Sequence, residues 1–350
     1  MKSIQTILFF VACILILSQS LESCRKKDAS PSYNPTLLQQ QIPDNFPAPV
    51  YTFSNNPLTK EGFELGRKLF YEGRLSIDGE FPCSSCHQQF AAFATFDHSL
   101  SHGYNNSFTT RNAPGLWNLA WQKEFHHDGL YKTLEAEAVD PITAPNQMSE
   151  SIENVLNKLK NDAGYKTMFR AAFGDETINS ERMLKALAQF TGSIISSDSK
   201  YDRVKKGQAS FTSFEQRGET LFMSKCATCH TPPLFTDFSY RNTGLAVNSS
   251  LNDYGRIRVT NNPADSLKFK VPSLRNIDIT FPYMHDGRFA SVQQCIEHYS
   301  NSVQYSTTVD PLLVNGIPLT NPEVIDLVQF LKTLTDSTLL QDSRFSKPPL

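Results

Sequence analysis

The sequence predicts a mostly α-helical protein built from two tandem, related modules whose helices are joined by long loops. Three observations carry that expectation. Apolar residues recur at helical spacing in three stretches, a Cys-x-x-Cys-His pattern occurs twice, and the segments after the two copies repeat each other at a constant offset. Chance seldom keeps register over such a distance, so a duplicated unit is the simplest reading.

The chain opens with a leader. Lys2 precedes an apolar run from Ile7 to Leu17, which as a helix spans about 17 Å against a hydrocarbon core of about 30 Å. It reads as a signal h-region rather than a membrane span. Leu21-Glu22-Ser23-Cys24 resembles a bacterial lipoprotein signal, making 1–23 the signal and Cys24 the lipidated first mature residue. A periplasm-facing or outer-membrane lipoprotein anchored through its lipid is the expectation, and a soluble periplasmic product the alternative. Residues 24–57 are rich in Pro, Ser, Asn and Gln and read as a flexible tether. The rest suits two domains, 58–205 and 206–350. A net charge of −2 and the lack of a long basic run after the leader argue against nucleic acid as a partner.

Gly66-Arg67-Lys68-Leu69-Phe70 and Gly218-Glu219-Thr220-Leu221-Phe222 each end a helix-like stretch before a Cys-x-x-Cys-His copy. Beyond the copies, Pro114-x-Leu116-x-Asn118 recurs as Pro272-x-Leu274-x-Asn276, and His127-Asp128-Gly129 as His285-Asp286-Gly287, both 158 residues on. Ile152, Val155, Leu156 and Leu159 keep a helical period after Ser151, and Met183, Leu184, Leu187 and Phe190 keep one with Ser180 as candidate cap. Asn321-Pro322 opens a helix through Val324, Ile325, Val328 and Leu331, with Pro tolerated in the first turn.

The chemistry lies in Cys83-Ser84-Ser85-Cys86-His87 and Cys226-Ala227-Thr228-Cys229-His230. In an exported protein each reads as a c-type haem attachment site, with two thioether bonds from the cysteines and His87 or His230 as proximal iron ligand. Paired Cys-x-x-Cys zinc sites are usually separated by roughly 12 to 20 residues, far less than here. Of seven cysteines, four lie in the motifs, Cys13 and Cys24 belong to the leader, and only Cys295 is left, so no disulfide framework is implied. Two covalent c-type haems and cytochrome c-like domains follow, with many Tyr and Phe packed on porphyrin or one another.

Leu75-Ser76, Arg111-Asn112-Ala113-Pro114, Asp128-Gly129, Leu274-Arg275-Asn276-Ile277 and Pro282-Tyr283-Met284-His285-Asp286-Gly287, with the two haem motifs, give the chain its resemblance to the bacterial diheme cytochrome c peroxidases and their relative MauG. That resemblance implies hydrogen peroxide reduction at the N-terminal haem, with electrons from a small cytochrome c or cupredoxin entering at the C-terminal haem, and leaves room for a homodimer. It implies a distal histidine at His102, with His98 close enough to compete, and a calcium ion held by Asn112, Thr280 and Pro282.

Three departures accompany the match. The family's inter-haem tryptophan position is His127, the following Arg position is Leu130, and Trp117 and Trp121 lie nearby. The family's pocket Gln and Glu positions hold Glu137 and Gln147 here. Moving a proton between peroxide oxygens needs an acid/base group, which a neutral amide is not, so Glu137 is expected to have exchanged roles with Gln147, against the alternative of a surface charge. At the second iron the peroxidases' methionine is replaced, and the register lands on Tyr299, the position of the tyrosine ligand in MauG. Met284 and His298 are the other candidates. A MauG-like oxidase acting on a protein or other external substrate and a non-catalytic diheme electron-transfer protein are the rival readings.

Overall fold

Two helix pairs of one design organise residues 33–349, the part of the chain described by the computed structural model. The helices are α1 Lys60–Phe70, α2 Cys83–Cys86, α3 Leu134–Glu137, α4 Val139–Thr143, α5 Ile152–Lys160, α6 Ala163–Phe173, α7 Ser180–Thr191, α8 Lys200–Lys205, α9 Ser213–Lys225, α10 Ile257–Thr260, α11 Val292–Glu297, α12 Asn321–Lys332 and α13 Ser337–Gln341. In the first half α1 packs on α7, and in the second α9 packs on α12. One small antiparallel sheet joins β1 Tyr240–Arg241 to β2 Phe269–Lys270, with Tyr240 opposite Lys270. The chain is mostly α with long loops.

The repeated Gly and Phe of the pre-motif segments explain the pairing. A Cβ on Gly66 would run into the Ala186 carbonyl, and one on Gly218 into the Asp326 carbonyl, so each glycine lets two helix backbones meet. One turn later Phe70 meets Phe190 at 5.1 Å and Phe222 meets Phe330 at 5.1 Å, tilted 47° and 46°. The caps are local. Ser151 caps α5 as expected, whereas α7 is capped by Asn179 rather than Ser180, because the Asn179 side chain accepts from Arg182 N at 2.9 Å. Thr320 and Glu323 form the capping box of α12.

Asn118 and Asn276, both left-handed, clamp the chain leaving the long helices. Asn118 exchanges two 3.0 Å bonds with the Ser196 backbone. Asn276 donates to Ser196 Oγ at 3.1 Å and accepts from Asp336 N at 2.8 Å. A buried pair, Arg275 with Asp202 at 2.7 Å, fixes the second half beside it.

Apolar side chains form one core around α1 and α7 and a second around α9 and α12. The C-terminal tail crosses the division expected at 205/206, since Leu339 and Phe345 sit in the first core. A smaller cluster of Phe46, Ala120, Trp121 and Leu234 draws on both halves.

The tether expected over 24–57 needs correction from Pro35 onward. Phe46 and Phe53 are 8% and 5% exposed, Val50 and Tyr51 both donate to the Ala120 carbonyl at 2.9 Å, and Trp121 Nε1 donates to the Pro47 carbonyl at 2.7 Å. Two aromatic anchors and satisfied backbone groups outweigh a polar composition. The expected signal at 1–23 and Cys24 lie outside the described residues. Among those residues no helix is long and apolar enough to cross a membrane.

Candidate functional site

Each Cys-x-x-Cys-His segment is a tight turn that presents two thiols and then an imidazole. In α2, His87 N donates to Cys83 O at 3.0 Å, and His230 N to Cys226 O at 3.0 Å. None of the four cysteines is paired in a disulfide. His87 Nδ1 lies 2.9 Å from Phe93 O, and His230 Nδ1 lies 3.2 Å from both Phe235 O and Pro272 O. A carbonyl only accepts, so Nδ1 carries the hydrogen and Nε2 the lone pair in both rings. Burial, partly opposed by these carbonyls, lowers the pKa of both imidazoles. Neutral histidines with Nε2 lone pairs beside paired thiols fit two covalent haems. Pro114 supplies a carbonyl to His87 as Pro272 does to His230, so the repeated Pro aims the proximal ring while the repeated Asn clamps the helix exit.

The 158-residue register continues through the distal elements. Hairpins Phe125–Tyr131 and Tyr283–Phe289 are bridged alike, and His126 and Met284 share a left-handed backbone. Thr133 caps α3 and Ser291 caps α11, each accepting at 3.2 Å from the backbone N three residues on. In this register Glu137 corresponds to Cys295 and Pro141 to Tyr299. The second repeat thus has a phenol where the first has a proline with no side-chain donor.

Tyr299 lies in the π-helical turn His298–Ser302. Burial, with Cys295, Cys226 and Cys229 nearby, pushes its phenol well above the ordinary range, which sets it by the second cysteine pair. Of the other candidates, His298 has Nε2 on the Thr243 carbonyl at 2.9 Å, and Met284 occupies its hairpin with φ 71°.

In the first repeat His126 Nε2 lies 3.2 Å from Glu137 Oε2, with side chains 17% and 24% exposed. The two atoms are at ion-pair distance, and Oε2 is buried with no hydrogen-bond partner. Burial pulls the His126 pKa down, but Glu137, with Asp140 and Asp128, outweighs it and the net shift is upward. Glu137 is thus partly buried beside an imidazole rather than fully solvated.

The hairpin that carries His102 meets Gln147 elsewhere in the first repeat. The strand pairing of His102 with Phe108 carries the hairpin 101–109. Gly103 is pressed on Asn146, and Tyr104 N donates to Gln147 O at 2.7 Å. The His102 ring is exposed, 5.0 Å from His98 and 4.7 Å from Phe108, and its carbonyl lies 4.0 Å from Cys86 Sγ. Glu137 and Gln147 share no hydrogen bond among the described residues.

Asn112 joins the halves. Its backbone N donates to His285 O at 2.8 Å, its amide nitrogen donates to Ser99 O at 3.1 Å, and its carbonyl accepts from His127 Nε2 at 2.9 Å. Thr280 follows the short turn Ile277–Ile279, and Pro282 is preceded by a cis peptide. Among the described residues no three His, Cys, Asp or Glu side chains form a metal cluster, so any cation here would depend on neutral oxygens. Burial drives the His127 pKa to about 3, leaving that ring neutral. Trp121 is committed to Pro47, and Trp117 belongs to the first core.

Sequence reasoning missed His126 and the ion pairs across the halves. Arg111, paired with Asp128 at 2.8 Å within the first half, reaches across to Asp253 at 2.5 Å, Arg258 reaches Asp128 at 2.5 Å, and Glu124 takes Arg256 at 2.8 Å and the Tyr240 hydroxyl at 2.6 Å. Lys270 Nζ donates to Gln122 Oε1 and to the Glu124 carbonyl, both at 2.7 Å. Only the His-His-Asp-Gly run, unlike its Met-His-Asp-Gly counterpart, marked His126 in the sequence.

A family model described as di-haem cytochrome c peroxidase matches residues 60–210. The chain is 35% identical to the methylamine utilization protein MauG of Methylorubrum extorquens, over 83% of this chain and 82% of that protein. It is 33% identical to the cytochrome c551 peroxidase of Nitrosomonas europaea, over 78% and 79%. Among solved structures, a MauG-like protein associated with microbial copper homeostasis superposes with a TM-score of 0.82 at 33% identity, covering 89% of this chain and 99% of that one.

Proposed function

Because this chain belongs to the di-haem cytochrome c peroxidase family, a membership that implies two c-type haems and peroxidase-type redox chemistry, we propose that it is an exported peroxidase reducing hydrogen peroxide at its N-terminal haem. Electrons enter through the C-terminal haem from a small cytochrome c or cupredoxin. One observation carries the assignment of roles. In the duplicated register the second repeat offers Tyr299 and Cys295, whereas the first offers Pro141 and Glu137. A phenol can fill an iron's distal position; a proline cannot, and a carboxylate beside it can handle protons.

When bound, the haems would carry the donor's electrons and offer iron to the peroxide. The chain's own residues do the rest. His87 and His230 would hold the haem irons through Nε2, their rings oriented by the Phe93 and Phe235 carbonyls. Glu137 takes a proton from the inner peroxide oxygen and returns it to the outer one, while the His102 carbonyl lies 4.0 Å from Cys86 Sγ and Gln147 meets the His102 hairpin through its own carbonyl. Asn112, Thr280 and Pro282 are the proposed calcium ligands, and Cys24 the proposed lipid anchor.

The MauG-like oxidase is kept as a second reading because Tyr299, an oxygen donor, disfavours the reduced second haem that donor-linked turnover requires. Steady-state peroxide consumption with and without a reduced small cytochrome c, read with spectra of both irons, tests the proposal. Donor-dependent turnover supports the peroxidase, donor-independent oxidation of an external substrate supports the second reading, and no reaction of either iron with peroxide defeats both.

A further inference from the structure

We propose that His126 is the positioning residue of the first pocket, holding the Glu137 carboxylate and returning protons to it during peroxide cleavage. The inference rests on Glu137 being the pocket acid/base. Its own support is geometric. His126 Nε2 is 3.2 Å from Glu137 Oε2, a buried oxygen with no hydrogen-bond partner. The tip of the hairpin Phe125–Tyr131 aims the ring, with the His126 backbone at φ 64° and the Tyr131 ring edge-on at 5.0 Å.

The duplication provides an internal control. The counterparts of His126, Tyr131 and Glu137 in the second repeat are Met284, Phe289 and Cys295. The same backbone thus carries polar, proton-handling groups at all three places in one repeat and none that titrates near neutrality in the other. A role in folding would be needed equally in both copies.

The proton balance assigns the work. One hydrogen peroxide becomes two waters by taking two electrons, which the reduced donor supplies, and two protons. The proton that Glu137 moves from the inner to the outer oxygen completes the departing water, so the two protons taken up belong to the oxygen that stays behind, which becomes the second water with the donor's two electrons. Glu137 gives those two protons in turn and regains each from His126 Nε2–H, and the partly exposed imidazole is reloaded from solvent. The groups facing the pair suit this task. Asp140 on α4 and Asp128 on the same loop favour the imidazolium, His87 opposes it, and Lys270 faces Glu137 from the second half.

The test uses His126→Asn in the haem-loaded protein, because Asn tolerates the left-handed backbone. Turnover should fall ~10-fold or more with KM and both haem spectra unchanged, and the alkaline limb of the wild-type pH profile should flatten. A second readout needs no turnover. The raised His126 pKa means that its pairing energy is complete below the unfolded value of 6.5 and lost as pH rises through the folded value. A double-mutant cycle of His126→Asn with Glu137→Gln should therefore show non-additive melting shifts of about 1–3 °C at pH 6 and additive ones at pH 9. Full activity with an unchanged pH profile in His126→Asn, while Glu137→Gln is impaired, overturns the role of His126 and leaves Glu137 in place. Full activity in Glu137→Gln overturns the reading beneath it, and additivity at pH 6 overturns the pairing itself.

Discussion

Glu137→Gln keeps the size of the side chain and removes its proton chemistry, so peroxide turnover should fall by ~10²-fold or more with near-normal haem spectra. Gln147→Ala should be milder, because Gln147 meets the His102 hairpin through its backbone carbonyl. Tyr299→Phe asks the matching question of the second repeat. Loss of an oxygen donor should change the electron paramagnetic resonance signal of that haem alone and raise its potential, each ~59 mV counting tenfold in a one-electron equilibrium. Unchanged second-haem signals would remove Tyr299 as ligand and return Met284 or His298. At this scale the sequence was legible where covalent chemistry fixes identity and spacing, as in the two Cys-x-x-Cys-His segments. Nothing in the spacing of His126 and Glu137 announces their contact, because a loop and a helix start bring them together through space.

The repeated Gly-x-x-x-Phe segments show how an element's sequence encodes its partner. Gly66→Ala and Gly218→Ala each push a methyl group into a facing carbonyl, and overpacking of this kind costs about 1–3 kcal/mol. Each should lower the melting temperature of the haem-loaded protein, measured by circular dichroism, with similar size in the two halves if the pairs are equivalent. The helix periods after Ser151 and Asn179 were readable from sequence because amphipathic spacing is local. What Asn118 and Asn276 clamp was not, since Ser196 and Asp336 lie some 60 to 80 residues away in the chain. Composition misled over 35–57, where Phe46 and Phe53 anchor a segment that otherwise reads as solvated.

Across the whole molecule, the halves meet through charges whose titration should be visible in stability. Burial holds Lys270 at about 8, against about 10.4 for an unfolded lysine. The unfolded chain binds the extra proton between those values, so the stability of wild type relative to Lys270→Met should rise with pH from about 8 to about 10.4 in denaturant titrations. A flat difference would mean that Lys270 is hydrated. Intact mass should show two haem additions and, for the proposed anchor, acylation at Cys24. The duplication was legible at this scale, the division of labour between its copies was an expectation carried by the family resemblance, and the positions of Pro141 and Glu137 opposite Tyr299 and Cys295 support it. Cyanide titration of the oxidised protein, followed by electron paramagnetic resonance, tests that division most directly. The account predicts one cyanide per chain, altering the signal of the His87 haem while the Tyr299-ligated centre keeps its own; binding at the second haem alone, at both with equal ease, or at neither would contradict it.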